Sequence, residues 1–258
     1  MSYTTVLILE FALVVFERLG WKKLVHLHHK LTIGLVTLGI MLSTLHQSTL
    51  GTLFTIAPHK MHPLWYSDAM NVHFFVSCVA AGLGMVSFEA FLSYRFTKHA
   101  PAFPQIRKLL GAMCVVLALF FVWRFVDLWR HDALGYVFAG KAAAMFWLEI
   151  AMMIVLPVAL YLRNRANLTP KRIFYIALIA VLGFIMHRFN VGVSSFQFVL
   201  DTGYFPTLTE FAVTAALITA GFVAAGICIY LFPMHGEIKE GKPEDEFHHI
   251  SWKAEQKG

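Results

Sequence analysis

Charge is what this sequence has least of. Asp, Glu, Lys and Arg make up 14% of its 258 residues, against roughly 25% in an ordinary soluble chain. Hydrophobic residues make up 58%, and they stand in long runs rather than in the short alternations of an aqueous domain. Cysteine is scarce too. Cys78, Cys114 and Cys228 lie singly inside apolar segments. They have no C-x-x-C or C-x-x-C-H spacing, which excludes an encoded iron–sulfur cluster or c-type haem, and buried single thiols read as small packing residues. No Gly/Ser-rich or Pro-rich linker divides the chain, and no repeat of about 20–50 residues is evident. No basic stretch precedes the first apolar run, so the beginning is not that of an ordinary signal peptide. It reads as a chain lacking preceding helices or given a late start codon.

What is present is a set of runs long enough to cross about 30 Å of hydrocarbon. They cover roughly 3–20, 31–50, 69–94, 108–131, 142–162, 172–190 and 209–232. The fold expected is all-α: one polytopic bundle of about seven transmembrane helices over residues 1–232, followed by a polar tail, 233–258. The net charge of +6 is spread over short loops, which excludes a nucleic-acid patch. Arg18, Lys22, Lys23 and Lys30 follow the first run. Arg95, Lys98, Arg107 and Lys108 follow the third, and Arg163, Arg165, Lys171 and Arg172 the fifth. The alternate loops are poor in Lys and Arg. The positive-inside rule then places the C-terminus and tail in the cytoplasm and the N-terminus outside.

The outer connections carry the unusual chemistry. The second, from His46 to Asp68, holds His46, Gln47, His59, His62, Trp65, Tyr66 and Asp68, with His73 just beyond it. The sixth holds His187, Arg188, Asn190, Gln197 and Asp201. Arg124 and Asp127 close the fourth run at i,i+3 and share a helix face on which they can pair. Together these make a polar pocket at the outer boundary, suited to a lipid-soluble substrate with an exchangeable proton. The plainer reading is an aromatic belt, interfacial histidines and one structural ion pair. Glu10, Glu17, Glu89 and Glu149 are carboxyls within or beside apolar runs. Each must be protonated, paired or wet, as members of a proton path or as separate interhelical hydrogen bonds.

The blocks His46-Gln47-Ser48-Thr49-Leu50-Gly51, Pro58-His59-Lys60 and His62-Pro63-Leu64-Trp65-Tyr66 resemble those of the NrfD/polysulfide-reductase membrane subunits, most closely the HybB type that serves respiratory nickel–iron hydrogenases. Leu9-Glu10-Phe11, Glu17-Arg18, Gly82 through Glu89 and Arg188-Phe189-Asn190 extend the resemblance over nearly the whole chain. It implies a quinone-reactive membrane subunit of a bacterial or archaeal cytoplasmic membrane, with no haem or iron–sulfur cluster of its own. Such a subunit passes electrons between an outer-face, ferredoxin-like iron–sulfur subunit of a hydrogenase or related enzyme and menaquinone or a related quinone. Proton translocation is open, and so are the quinone type and the direction of electron flow. The implied quinone site, near the outer face, takes in His46, Gln47, Tyr66, Asp68, Arg124, Asp127, His187, Arg188 and Asn190. Glu10, Glu17, Glu89 and Glu149 are the proton-path candidates. HybB-type subunits have about ten helices, so the first three lack a counterpart here. They also carry Asn where His187 stands.

The alternatives are a structural anchor without quinone chemistry and a haem b quinol-oxidising subunit, which needs paired histidines deep in the membrane. A retinal receptor would need a lysine in the last run, and 209–232 has none. A transporter would show paired broken helices, and none is evident.

Overall fold

The computed structural model of the chain describes residues 2–56, 58–97, 103–138, 140–200 and 206–231. The polar tail expected over 233–258 lies outside the described residues, as does Asp201. Seven helices account for nearly all of the rest, and no strand occurs among the described residues. They are α1 (Ser2–Arg18), α2 (Lys22–Thr55), α3 (Met70–Thr97), α4 (Phe103–Arg130), α5 (Gly140–Asn164), α6 (Pro170–Leu200) and α7 (Leu208–Leu231). All but α1 are long and apolar enough to cross a membrane, so this is a multi-pass membrane protein. In lipid only such self-satisfied backbones are stable.

Two compact units emerge, whose described residues fall within 2–46 with 206–231, and within 47–200. In the first, α1 ends in a Schellman turn. Gly20, at φ +69°, donates its N–H to the Glu17 carbonyl, Trp21 donates to Phe16, and the Phe16 and Trp21 rings stack at 6.0 Å. That turn lets α2 start at once at Lys22, nine residues before the apolar run begins. The basic stretch Lys22–Lys30, expected as loop, is therefore helical. At 34 residues α2 is about 50 Å long, well beyond the hydrocarbon thickness. Within this unit His28 Nε2 lies 3.0 Å from the Leu9 carbonyl, an acceptor, so that nitrogen carries the proton.

In the second unit α3 packs against α4 and α6, and α6 against α5. The core is built from Leu110, Met113, Leu117, Phe120, Phe146, Ile150, Met153 and Ala177. Cys114 is buried and Cys78 half-buried among them. Helices α5 and α6 each contain one π turn, Ala151–Val155 and Asn190–Ser194. The first has a covalent cause. Pro157 has no N–H for the Met153 carbonyl, and its ring would clash there in a regular helix. In the second, Ser194 Oγ donates to Asn190 Oδ1 at 3.0 Å. Such turns recur at functional sites, and here each adjoins a buried polar residue, Glu149 or Asn190.

Gly183 of α6 lies directly on the backbone of Met152 and Met153 in the first π turn, where a Cβ would collide with backbone atoms. Gly183→Ala is therefore expected to push α5 and α6 apart and to cost about 1–3 kcal/mol of stability. Thermal unfolding of the detergent-solubilised chain measures it, and an unchanged midpoint would show that the two helices can separate freely.

The sixth apolar run was expected to end near 190 in a loop. Instead α6 continues to Leu200, and His187, Arg188, Asn190 and Gln197 are helical residues. Their polarity mimics a loop, but His187, Arg188 and Asn190 find partners on neighbouring helices. The second connection is shorter than its polar residues suggest, because α2 runs to Thr55. Gly51 lets it do so, standing where a Cβ would meet the Asn71 and Met70 backbone.

Candidate functional site

The polar side chains of the second unit collect in its apolar core as two linked hydrogen-bonded sets. The first is centred on Glu149 of α5, which is buried. Its Oε2 accepts from Trp65 Nε1 at 2.8 Å and from Asn190 Nδ2 at 2.8 Å, and its Oε1 accepts from His187 Nδ1 at 2.7 Å. His187 and Asn190 stand at i,i+3 on α6 and so share the face towards α5. Asn190 Nδ2 also reaches the Met145 carbonyl at 3.3 Å. Trp65 is held in turn by the loop: its ring stacks on Phe198 at 6.2 Å and meets His62 edge-on. The His62 backbone N–H donates to Ser195, through its carbonyl and Oγ, so α6 pins the loop that delivers Trp65.

The second set is centred on Arg124 of α4, 1% exposed. Nη2 donates to the Leu64 carbonyl at 2.5 Å, and Nη1 lies 3.3 Å from His73 Nδ1 on α3. An arginine can only donate. His73 Nδ1 therefore accepts, and its proton sits on Nε2, 3.9 Å from Asp127 Oδ2. Arg124 and Asp127 do share a face, as their spacing requires, with His73 standing between them. From Asp127 the set runs outward. His131 Nδ1 is 2.9 Å from the Asp127 carbonyl and 3.5 Å from Asp127 Oδ1, and its Nε2 is 3.2 Å from Asp68 Oδ2. Tyr66 Oη donates to Asp68 Oδ1 at 2.9 Å. The Phe120 ring packs edge-on against both His73 and His187, so it separates the two sets while touching each.

Four buried polar atoms here have no hydrogen-bond partner: His73 Nε2, Asp127 Oδ2, Arg124 Nε and His187 Nε2. Each costs about 1–3 kcal/mol when left so. Together they offer two kinds of contact. His73 Nε2–H and Arg124 Nε–H can donate. Asp127 Oδ2 can accept, as can His187 Nε2 when its imidazole is neutral, since Nδ1 of that ring gives its proton to Glu149.

At the rim, outside the helices, the electrostatics are those of an ion pair. Hydrogen bonds from His131 and Tyr66 hold the Asp68 carboxyl below its usual range. The Asp127 carbonyl, foremost, and then Asp68 raise the His131 imidazole above its usual value. Burial, and then Asp68, push the Tyr66 hydroxyl up.

Of the residues singled out by sequence, the structure brings together Arg124, Asp127, Tyr66 and Asp68 in one set and Glu149, His187 and Asn190 in the other. Arg188, one residue beyond His187, points away from both. Its Nη2 donates to the Phe74 carbonyl and Ser77 Oγ, and its guanidinium lies 3.7 Å over the Phe74 ring. Gln47, half-buried, and Glu89, exposed on α3, stand outside the two sets. His46, Glu10 and Glu17 belong to the first unit, where His46 and Glu17 are exposed and Glu10 is half-buried. Three participants were not foreseen in these roles. Trp65, with an aromatic belt as its plainer reading, and His73 were noted at the outer connection without a role of their own. His131 was overlooked, although its i,i+4 spacing from Asp127 was legible.

The family described as polysulphide reductase, NrfD, matches residues 1–200. A protein of Nitratidesulfovibrio vulgaris (strain Hildenborough) is 36% identical over 229 residues, covering 85% of this chain and 58% of its own length. A protein of Escherichia coli (strain K12), named as a b-type cytochrome subunit of Ni/Fe-hydrogenase 2, is 36% identical over 233 residues, covering 89% of this chain and 58% of its own. This chain thus spans little more than half the length of either relative. No solved structure matches it.

Proposed function

This chain belongs to the NrfD polysulphide reductase family, and from that premise we propose that it is the quinone-reactive membrane subunit of a respiratory oxidoreductase. The observation that carries the reading is the burial of Arg124, Glu149, His73 and His187, with unpartnered donors and acceptors among them, inside helices that can cross a membrane. Ionisable groups in such places are costly and mark substrate or proton sites. Reduction of a quinone adds two electrons and two protons, one proton to each of its two oxygens. His73 Nε2–H and Arg124 Nε–H would hold one oxygen. Asp127 and His131 would relay protons to it. Glu149 holds His187 in one orientation. Trp65 and Phe120 exclude water, which strengthens every charge interaction among these groups. Tyr66 and Asp68 stand on the proton side of this site rather than at its centre.

The electron partner proposed is an outer-face iron–sulfur subunit of a nickel–iron hydrogenase or related enzyme, in the cytoplasmic membrane of a bacterium or archaeon. The support is the hydrogenase named for the Escherichia coli relative. The orientation proposed from the Lys and Arg distribution puts the N-terminus and residues 52–62 outside and the C-terminus inside. A reporter fused after Gly258 is expected to be active only in the cytoplasm, and one inserted in 52–62 only outside. A periplasmic C-terminus would put the site on the wrong face for that partner.

The relative's name as a b-type cytochrome makes haem the second reading. Haem b needs two imidazole Nε2 atoms facing each other across a porphyrin. Of the described histidines, His73 and His187 are buried in the second unit, and the Phe120 ring packs against both, in the space the porphyrin would require. His73 and His187 as placed do not fit the group. The test for quinone is quenching of tryptophan fluorescence in the full-length chain by a short-chain naphthoquinone. Saturable quenching that Arg124→Lys weakens is expected, with no Soret band in the same preparation. Unsaturable quenching, or haem in stoichiometric amount, would remove the quinone reading.

A further inference from the structure

His131 occupies an unusual position. It is the C-cap of α4, in a Schellman turn that uses aspartate where glycine is usual. Ala133 N–H donates to the Leu128 carbonyl at 2.9 Å, Asp132 N–H donates to Trp129 at 3.3 Å, and Asp132 takes φ 53°. Aspartate is among the few non-glycine residues that tolerate this region. The turn fixes the imidazole at the negative end of the helix dipole, where a cation is favoured. It also fixes the tautomer. A carbonyl can only accept, so Nδ1, 2.9 Å from the Asp127 carbonyl, carries a proton. Nε2 then faces the Asp68 carboxylate at 3.2 Å, and that contact is attractive only if Nε2 is protonated as well. The geometry describes an imidazolium with one N–H on an exposed carboxylate and the other on a buried residue.

The exposures grade in the same order. The Asp68 side chain is 78% exposed, His131 28% and Asp127 8%. Asp127 Oδ1 lies 3.5 Å from His131 Nδ1, and Oδ2, unpartnered, faces the unpartnered His73 Nε2 at 3.9 Å. One line of polar side chains thus runs from water to the buried histidine.

We propose that His131 carries protons between water at Asp68 and the buried Asp127–His73 pair. The quinone reading enters only in what the proton serves. Inward, the imidazolium gives its Nδ1 proton to the Asp127 carboxylate and is left neutral, protonated on Nε2. A turn of the half-exposed ring presents the free nitrogen to water, which returns the proton. No electron moves in either step, and the outward route is the same sequence reversed. The groups facing His131 are Asp68 and Tyr66 from the loop and Asp127 from its own helix end, with His73 of α3 beyond Asp127. The two carboxylates favour the imidazolium.

The first test reads the proton itself. In the full-length chain in membranes, carbethoxylation of His131 by diethyl pyrocarbonate, followed by mass spectrometry across pH, reports the neutral imidazole. The midpoint is expected above the ordinary histidine value of about 6.5, and Asp68→Asn should lower it. A midpoint at the ordinary value that Asp68→Asn does not move overturns the proposal. The second test reads function in native membranes. His131→Ala should slow quinone-linked turnover by about a hundredfold, and imidazole added to the buffer should restore it. Asp127→Asn should fall as far without rescue. Full turnover in His131→Ala beside a loss in Arg124→Lys, or a loss in His131→Ala that imidazole does not restore, overturns the relay in favour of a packing role. Failure of the quinone reading looks different: His131→Ala, Asp127→Asn and Arg124→Lys would then all leave quinone-linked turnover untouched while the midpoint shift persists.

Discussion

Arg124→Ala is expected to lower quinone-linked turnover by a factor of about a hundred to a thousand, or about 3–4 kcal/mol of lost stabilisation. The reason is geometric as much as electrostatic. The guanidinium fork binds the Leu64 carbonyl through one arm and His73 Nδ1 through another, leaving Nε–H unpartnered. It thereby fixes the loop, sets the His73 tautomer and supplies a donor in a dry site. Truncation also leaves the Leu64 carbonyl and His73 Nδ1 without their donor, at about 1–3 kcal/mol for each buried unsatisfied group, so the alanine variant must be compared per assembled protein. Arg124→Lys separates the two effects. A lysine keeps the charge but, as a single ammonium on a flexible stem, cannot reproduce the planar fork. Arg124→Lys should therefore assemble and still lose most quinone-linked turnover, while reduction of an artificial dye upstream of this subunit continues. Normal quinone turnover in Arg124→Lys would return this arginine to a purely structural role.

The seven hydropathy runs correspond one for one to the seven helices of the described residues, but six of these rather than the expected seven are long and apolar enough to cross hydrocarbon, where no other backbone solution exists. Their ends were less legible. Hydropathy reports where lipid lies, not where the helix stops. Lys22–Lys30 is therefore helical although polar, and Arg188 and Asn190 lie inside α6 although they read as loop. The π turns are of the same kind: Pro157 was visible, but its effect on the register between Glu149 and the helix beyond it was not. For the site, Arg124, Asp127, Glu149, His187 and Asn190 stood out because charge and amide in an apolar run are expensive. Their grouping was not readable, since it depends on which faces of α3, α4, α5 and α6 meet. Trp65 illustrates the limit. Its sequence position fits an interfacial belt, and only the fold carries its indole N–H to Glu149. The block from His46 to Gly51, by contrast, carried the family resemblance without supplying the buried sets.

Glu149 then poses the sharpest contrast between two substitutions. Three donors, Trp65 Nε1, His187 Nδ1 and Asn190 Nδ2, converge on its two oxygens. Glu149→Ala would strand Trp65 Nε1 and His187 Nδ1 in the core, at about 1–3 kcal/mol for each unsatisfied group, and leave Asn190 Nδ2 only the Met145 carbonyl at 3.3 Å, so it is expected to leave little folded protein. Glu149→Gln keeps the shape. Its carbonyl oxygen can take over the bonds from Trp65 and Asn190, and its amide can donate to His187 Nδ1 if that imidazole moves its own proton to Nε2. The glutamine variant should therefore fold with nearly normal thermal stability, while the change of tautomer replaces the acceptor at His187 Nε2 with a donor. If His187 accepts a substrate proton, Glu149→Gln loses quinone-linked turnover at preserved stability. Thermal unfolding in detergent and turnover in native membranes, measured on the same two variants, decide it. A glutamine variant as unstable as the alanine one would mean that the charge of Glu149, rather than its hydrogen bonds, holds α5 to α6. A glutamine variant with full turnover would leave Glu149 as a clamp and take His187 out of the proton chemistry.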